Sequence, residues 1–145
     1  LNEIVSSFKE ISNKKFIVNF DQDSNVKKIT KSIEIVYGLR NFIGNANKFS
    51  KETIFISLKS DNKTTEIIIE DDGNGYPKDV LSKIGEPYLR TNDPIEKSKT
   101  GLGLGLFIGK TLLETNFASI NCRNSKTRSG AEVIIKWNNK DLFNI

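Results

Sequence analysis

Glycine alternates with leucine over six residues in the second half of the chain, in a pattern suited to binding phosphate. The run consists of Gly101, Leu102, Gly103, Leu104, Gly105 and Leu106. Each glycine inside a regular helix costs about 1 kcal/mol relative to alanine, so we interpret the run as backbone that turns tightly or approaches a ligand closely. A helix is predicted to begin within it, and unpaired N–H groups at a helix entrance attract phosphate oxygens. The alternative is tight helix packing.

Two familiar phosphate-binding motifs do not fit this run. A Walker A loop carries a lysine and a hydroxyl residue after its last glycine, whereas Leu106 and Phe107 follow Gly105. A dinucleotide-binding fingerprint has a different glycine spacing and follows directly on a strand. The run therefore predicts a phosphate site of another kind.

A predicted helix upstream carries a polar stripe made of Asn41, Asn45 and Lys48, followed by Phe49. Residues three and four apart lie on one side of a helix, and this stripe borders the apolar stripe. Amide oxygens can hold Mg²⁺ while phosphates supply the negative charge, so Asn45 is the candidate metal ligand, with Asn41 beside it. Lys48 offers a charge to a phosphate, and Phe49 offers a ring face to a base. The alternative is a solvated helix face.

An acidic segment rich in glycine lies between these two motifs, where Asp71 is followed by Gly73 and Gly75. Asp71 ends a predicted strand, and the glycines let the backbone bend away and leave a cavity. A carboxylate can accept a hydrogen bond from the amino group of adenine, whereas the carbonyl of guanine is disfavoured there. The alternative is an ordinary Asp-Gly turn.

The elements that must position these motifs follow from the hydrophobic periodicity. Strands are predicted over residues 15–20, 26–30, 53–60, 64–71, 118–124 and 131–137, and helices over 1–12, 31–50, 102–115 and a short stretch after Pro77. The polar segment 86–100 has few apolar anchors, so we expect a mobile lid there. The interleaved order of strands and helices predicts a two-layer α/β sandwich, with one sheet and helices on one face.

The composition narrows the class of protein. A chain of 145 residues with 37% hydrophobic residues suffices for one compact core. The net charge of +4 is spread along the chain, and no basic patch is interleaved with aromatic residues, so nucleic acid is not an expected partner. Histidine is absent, which excludes it as metal ligand, general base or phosphoacceptor within the chain. The single cysteine, Cys122, is expected to be a buried thiol in a strand pair.

The order and spacing of the three motifs resemble those of the GHKL ATP-binding fold, in particular the catalytic ATP-binding domain of bacterial sensor histidine kinases. Asn41 to Phe49 is similar to its N box, Asp71 to Gly75 to its G1 box and Gly101 to Leu106 to its G2 box. The resemblance covers nearly the whole chain. It implies a mixed sheet of about five strands under three helices, with ATP and Mg²⁺ held between the N-box helix and a lid.

Shorter segments resemble a narrower group, the RegB/PrrB redox-responsive sensor kinases. They are residues 37–39, 85–88 and 106–114. As further nucleotide contacts, the resemblance implies Tyr88, Arg90 and Thr100. It also implies that the phosphoaccepting histidine lies on a preceding dimerisation domain, with residues 1–13 as the connector helix and 14–145 as the catalytic domain. The absence of methionine likewise leads us to expect a piece of a longer protein, and no apolar stretch approaches the length a bilayer requires.

One departure from the wider family concerns Tyr37, four residues before Asn41. Relatives that hydrolyse ATP place a glutamate there to activate water, so we expect the γ-phosphate to be kept for transfer. The expected partners are the dimerisation domain and a response regulator, within a membrane-bound homodimer whose catalytic domain is cytoplasmic. The alternatives are a GHKL ATPase or serine kinase, and a nucleotide-sensing module without catalysis.

Overall fold

The computed structural model describes residues 1–20, 32–81 and 102–142, with the backbone alone for 102–104. Its helices are α1 (Asn2–Ile11), α2 (Ile33–Phe49), α3 (Lys78–Leu81), α4 (Leu102–Thr115) and α5 (Asn139–Leu142). Its strands are β1 (Lys15–Phe20), β2 (Thr53–Ser60), β3 (Thr64–Asp71), β4 (Ser119–Asn124) and β5 (Ala131–Asn138). The predicted strand at 26–30, the predicted lid at 86–100, and the candidate contacts Tyr88, Arg90, Thr100 and Gly101 lie outside the described residues.

The five strands form one mixed sheet in the order β1-β2-β3-β5-β4. β1 runs parallel to β2, and each of the other neighbouring pairs is antiparallel. In the hairpin of β2 and β3 the alternation of apolar and polar residues places Ile54, Ile56, Ile67 and Ile69 in the core, because alternate side chains of a strand share one face. The expected sandwich with a five-stranded mixed sheet is confirmed.

Helix α2 forms one side of the functional region and packs closely against α4. Ser32 caps the start of the helix, since its hydroxyl accepts a hydrogen bond from the N–H of Ile35 at 3.4 Å. Small residues bring the two helices together, since a Cβ added to Gly38 would lie 2.6 Å from Leu113 and one added to Gly109 would lie 3.0 Å from Phe42. This packing sets the start of α4 beside the polar stripe of α2.

Two elements complete the described fold. Helix α1 packs on α2, with the guanidinium of Arg40 5.6 Å from the ring centroid of Phe8. The turn of α5 is anchored by buried Asn139, which accepts from the Thr65 hydroxyl and donates to the Asp61 carbonyl, both at 2.7 Å. Among the helices described here, none has the length and apolar character needed to span a bilayer.

Cys122 lies in β4 opposite Val133, as expected for a strand pair, but it is only half-buried. β4 is the last strand in the order of the sheet, so fewer neighbours cover its side chains. Burial still raises the pKa of the Cys122 thiol to about 11. A thiol with so high a pKa is protonated at neutral pH and is a poor nucleophile.

Candidate nucleotide site

A cleft opens between helix α2 and the segment that follows β3. Its lining residues are Phe42, Asn45, Ala46, Phe49, Ile69, Asp71, Asn74, Gly75, Tyr76, Pro77, Ala131 and Val133. The cleft therefore brings together Asn45, Phe49, Asp71 and Gly75, four of the residues singled out in the sequence. Residues of α2 and residues of the segment after β3 line the two walls of the cleft. Strand β5 contributes Ala131 and Val133 to the lining.

Asp71 is the buried carboxylate of this cleft, with 4% of its surface exposed. Its Oδ1 accepts hydrogen bonds from the backbone N–H of Gly73 at 2.8 Å and of Ala131 at 3.3 Å. Burial raises the pKa of Asp71 above its ordinary value of 3.8, and these two hydrogen bonds only partly oppose the rise. The carboxylate is thus held rigidly and poorly solvated, so a hydrogen-bond donor on a ligand is stabilised there.

Gly73 and Gly75, the two glycines after Asp71, are needed for different structural reasons. A Cβ on Gly73 would lie 2.2 Å from the carbonyl oxygen of Phe49, so only glycine lets the segment pass the end of α2. Gly75 has a φ of +77°, a left-handed conformation that favours glycine. Gly73 is buried and does not line the cleft, whereas Gly75 lines it directly.

Asp72 is a second carboxylate that sequence reasoning passed over. Its side chain accepts hydrogen bonds from the backbone N–H groups of Lys51, Glu52 and Thr53, at distances from 2.8 to 3.2 Å. Burial alone would raise the pKa of Asp72, but these N–H groups outweigh it and hold the pKa below 3.8. Asp72 therefore ties the end of β3 to the turn after α2, which fixes Phe49 against Gly73.

Asn45 carries the clearest sign of a missing ligand. Its Nδ2 is buried and has no hydrogen-bond partner among the described residues. A buried unpaired amide group is costly, so such an atom indicates a partner that binds later. Turning the amide by 180° presents Oδ1 in the same direction, so Asn45 fits either a phosphate oxygen or a magnesium ion.

The surroundings of Asn45 limit what a metal there would bind. Within residues 1–20, 32–81 and 102–142, no group of three or more Asp, Glu, Cys or His side chains could hold a metal ion. A magnesium ion at Asn45 would therefore take most of its oxygen ligands from phosphates and water. The structure thus fits a metal that arrives with a nucleotide.

The remaining residues of the polar stripe of α2, Asn41 and Lys48, lie outside the lining of the cleft. Asn41 lies beside Asn45 near Gly105, and its Nδ2 donates to the Tyr37 carbonyl at 2.8 Å. Lys48 is exposed, and its Nζ lies 5.4 Å from the ring centroid of Phe49. Neither Asn41 nor Lys48 lines the cleft itself.

The helix predicted over residues 102–115 is present as α4, with the same bounds. The glycines that we interpreted as tightly turning or ligand-approaching backbone therefore lie partly inside a helix, because α4 contains Gly103 and Gly105. The first four N–H groups of a helix have no partner within it, so helical backbone also supplies free donors at this place. A Cβ on Gly105 would lie 3.7 Å from Oδ1 of Asn41 and 3.8 Å from Oδ1 of Asn45, so the helix start faces both amides. Leu106 is fully buried and anchors that turn in the core.

Several lining residues, among them Asn74, Tyr76 and Ala131, were not predicted. Tyr76 packs against the core beside the cleft, and burial raises the pKa of its hydroxyl well above 10. Ala131 begins β5, far from the motifs in sequence. In the sequence, only the position of Tyr76 directly after Gly75 could have indicated that it lines the cleft. Nothing local could have indicated Ala131, because a contact between neighbouring strands leaves no local signal.

Comparison with known proteins identifies the family. Residues 30–141 match the model of the histidine kinase-, DNA gyrase B- and HSP90-like ATPases. The sensor histidine kinase RegB of Cereibacter sphaeroides is 37% identical over 124 residues, which cover 75% of this chain and 27% of RegB. The sensor protein KdpD of Clostridium acetobutylicum is 31% identical over 145 residues, covering 95% of this chain and 16% of KdpD. The chain thus spans about a quarter or less of the length of these relatives.

Solved structures agree on the fold. The mycobacterial sensor histidine kinase MprB superposes with a TM-score of 0.74 at 19% identity, over 94% of this chain and 90% of that one. The catalytic domain of histidine kinase ThkA, in a nucleotide-free form, gives 0.75 at 22% identity over the same shares. The chain belongs to the histidine kinase-, DNA gyrase B- and HSP90-like ATPase family, as a catalytic ATP-binding domain of the sensor histidine kinase type.

Proposed function

We propose that this chain binds magnesium ATP and presents its γ-phosphate to a histidine on a separate dimerisation domain of the same protein. One observation supports the proposal most strongly. A buried carboxylate, Asp71, and an amide with an unpaired buried nitrogen, Asn45, line the same cleft beside the start of α4. The cleft therefore has one end suited to a base and another suited to phosphates.

At the base end, Asp71 is the acceptor for the amino group of adenine. Both of its described hydrogen bonds engage Oδ1, and they fix the carboxylate plane against the cleft. A donor on the ligand gains from a partly desolvated anion, whereas the carbonyl of guanine would face it with like partial charge. Phe49 and Tyr76 both line the cleft, so their rings are available to pack against the base.

At the phosphate end, Asn45 and Asn41 face Gly105 in the first residues of α4. The free N–H groups there would receive phosphate oxygens, with Asn45 as the ligand for magnesium. A bound magnesium ion supplies charge neutralisation for the phosphates. The residues of this chain contribute orientation and exclusion of water, which is the main requirement for phosphoryl transfer.

Two features favour transfer over hydrolysis. Tyr37 precedes Asn41 by one helical turn and is 58% exposed, so no carboxylate stands at that position to orient water. The chain also lacks histidine, so a phosphoacceptor histidine must come from another domain. A GHKL ATPase or a serine kinase is the second candidate, and a nucleotide-sensing module without transfer is the third.

The placement within a longer protein belongs to the same proposal. Residues 1–13, which include α1, would connect the dimerisation domain to the catalytic domain of residues 14–145. The sensor histidine kinase relatives support a response regulator as the downstream partner. A membrane-bound homodimer with this domain in the cytoplasm is part of the proposal and rests on the family resemblance alone. The resemblance to the RegB/PrrB redox-responsive type suggests redox sensing, although the raised pKa of Cys122 gives that idea no support.

The fate of labelled γ-phosphate separates the three candidates. The chain alone should bind ATP and release little phosphate, and a dimerisation-domain fragment added to it should acquire acid-labile phosphate. Rapid phosphate release by the chain alone would identify an ATPase. Tight binding with neither release nor transfer would identify a sensing module.

A further inference from the structure

Asn124, the last residue of β4, holds the backbone of Tyr76 from outside the recognised motifs. Its Oδ1 accepts a hydrogen bond from the Tyr76 N–H at 2.7 Å. Its Nδ2 donates to the Tyr76 carbonyl oxygen at 3.1 Å. One amide thus satisfies both backbone groups of one residue, which is the pairing a neighbouring strand would make. The 48 residues between them make this a tertiary contact.

The approach of Asn124 depends on Gly75. A Cβ on Gly75 would lie 2.7 Å from Oδ1 of Asn124, so any larger residue would push the amide away. The left-handed φ of Gly75 then turns the chain so that Tyr76 lines the cleft. This glycine serves the contact with Asn124 as well as the turn.

The same end of the β4–β5 hairpin also holds the carboxylate of the cleft. Asn124 lies opposite Ala131 in the register of the two strands. Ala131 donates its N–H to Asp71, while Asn124 binds Tyr76. The distance between the carboxylate and the wall formed by Tyr76 is therefore set by one pair of cross-strand neighbours.

We propose that Asn124 is a positioning residue for adenine recognition, acting through Tyr76. It does not line the cleft, so its effect is on the shape of the base end. The proposal rests on the proposed function, since it assumes that the cleft holds an adenine nucleotide. It assigns no role to Asn124 at the phosphate end, where Asn45 and α4 lie on the opposite wall.

The test compares Asn124→Ala with Asn121→Ala, which alters an exposed asparagine three residues earlier in the same strand. Calorimetry with adenosine and with ADP, each with and without Mg²⁺, measures both ends of the cleft. Asn124→Ala should weaken adenosine and ADP by the same factor, about tenfold for two lost hydrogen bonds, and should leave the Mg²⁺ dependence of ADP unchanged. Asn121→Ala should bind as the parent does.

A second variant keeps the proposal testable if Asn124→Ala fails to fold. In Asn124→Asp the ionised carboxylate repels the Tyr76 carbonyl, whereas the protonated acid can both donate and accept as the amide does. Its affinity for ADP, expressed relative to the parent at each pH, should recover as the pH falls from about 5 through the ordinary aspartate pKa of about 3.9. A purely structural role would give no such recovery.

The outcomes distinguish this inference from the proposed function. A parent chain that binds neither adenosine nor ADP contradicts the proposed function. A parent that binds both, with Asn124→Ala binding within about twofold of it or Asn124→Asp showing no recovery at low pH, overturns the role of Asn124. Equal losses of adenosine affinity in Asn124→Ala and Asn121→Ala would overturn it as well.

Discussion

The backbone N–H of Ala131 donates to Oδ1 of Asp71 at 3.3 Å, although 60 residues separate the two in sequence. Asp71 ends β3 and Ala131 begins β5, and the two strands are antiparallel neighbours. The contact is close because Gly130 precedes Ala131: a Cβ on Gly130 would lie 2.0 Å from the Asp71 carbonyl oxygen. The position of Asp71 in the cleft is thus fixed by residues that lie about 60 positions later in the sequence.

Replacing Asp71 with asparagine should weaken adenine binding. The amide still offers a carbonyl oxygen, but the charge-assisted hydrogen bond to the amino group of adenine is lost, at a cost of about 1 to 3 kcal/mol. Calorimetry with ATP and GTP on the parent and on Asp71→Asn measures this loss. Equal affinity of the parent for the two nucleotides would contradict the role of Asp71.

The raised pKa of Asp71 should make stability and nucleotide affinity respond oppositely to pH. The folded state holds this proton more tightly than the unfolded state, so the free energy of unfolding should fall as pH rises from 3.8 through the raised pKa. Nucleotide affinity should rise over the same window, because the ionised carboxylate is the better acceptor. Asp71→Asn should lose both dependences, as denaturant titrations and calorimetry across that window can check.

Asp72 should contribute stability of the opposite sign. Its pKa is lowered in the folded state, so its contribution is present above 3.8 and is lost as pH falls through the lowered value. Asp72→Ala should reduce the free energy of unfolding at neutral pH by about 1 kcal/mol, since its carboxylate is largely solvated. Lys51→Ala is the matched control, because Lys51 gives Asp72 only its backbone N–H. Similar losses in the two variants would refute the assignment.

Asn45→Ala should impair the phosphate end of the cleft and leave the base end intact. Without the amide, ATP binding should become insensitive to Mg²⁺, while adenosine should bind as in the parent because Asp71 is intact. Asn45→Asp keeps a ligand oxygen and should retain the Mg²⁺ dependence. If Mg²⁺ strengthens ATP binding equally in the parent and in Asn45→Ala, then Asn45 is not the metal ligand.

Local sequence patterns were sufficient for the five strands of the sheet and for the helices α1, α2 and α4. Alternating isoleucines defined β2 and β3, and the spacing of Leu39, Phe42 and Ala46 defined the core face of α2. The motifs also singled out Asn45 and Asp71, which the structure places in one cleft, because their residue types suit the predicted chemistry directly. These features depend on neighbours within a few positions, which a single sequence displays.

Features that depend on contacts between distant segments could not be predicted. The bonds of Asp72 to residues 51–53 and of Asn124 to Tyr76 join parts of the chain that only the sheet brings together. The helix over 102–115 was predicted, but the reason that it contains Gly103 and Gly105 was not, because helix propensity counts the cost of each glycine and ignores the neighbouring helix α2. The turn of α5 depends on Asn139 reaching Thr65, which no local pattern reveals.

The fate of the γ-phosphate in a single turnover tests the central claim most directly. The parent chain, loaded with γ-labelled ATP and Mg²⁺, is mixed with an excess of dimerisation-domain fragment, with Asp71→Asn as the weakly binding control. We predict that the label moves to the fragment as acid-labile phosphate, and that little inorganic phosphate forms when the fragment is withheld. Quantitative release of inorganic phosphate by the parent alone would contradict the account, as would retention of all label in ATP after the fragment is added.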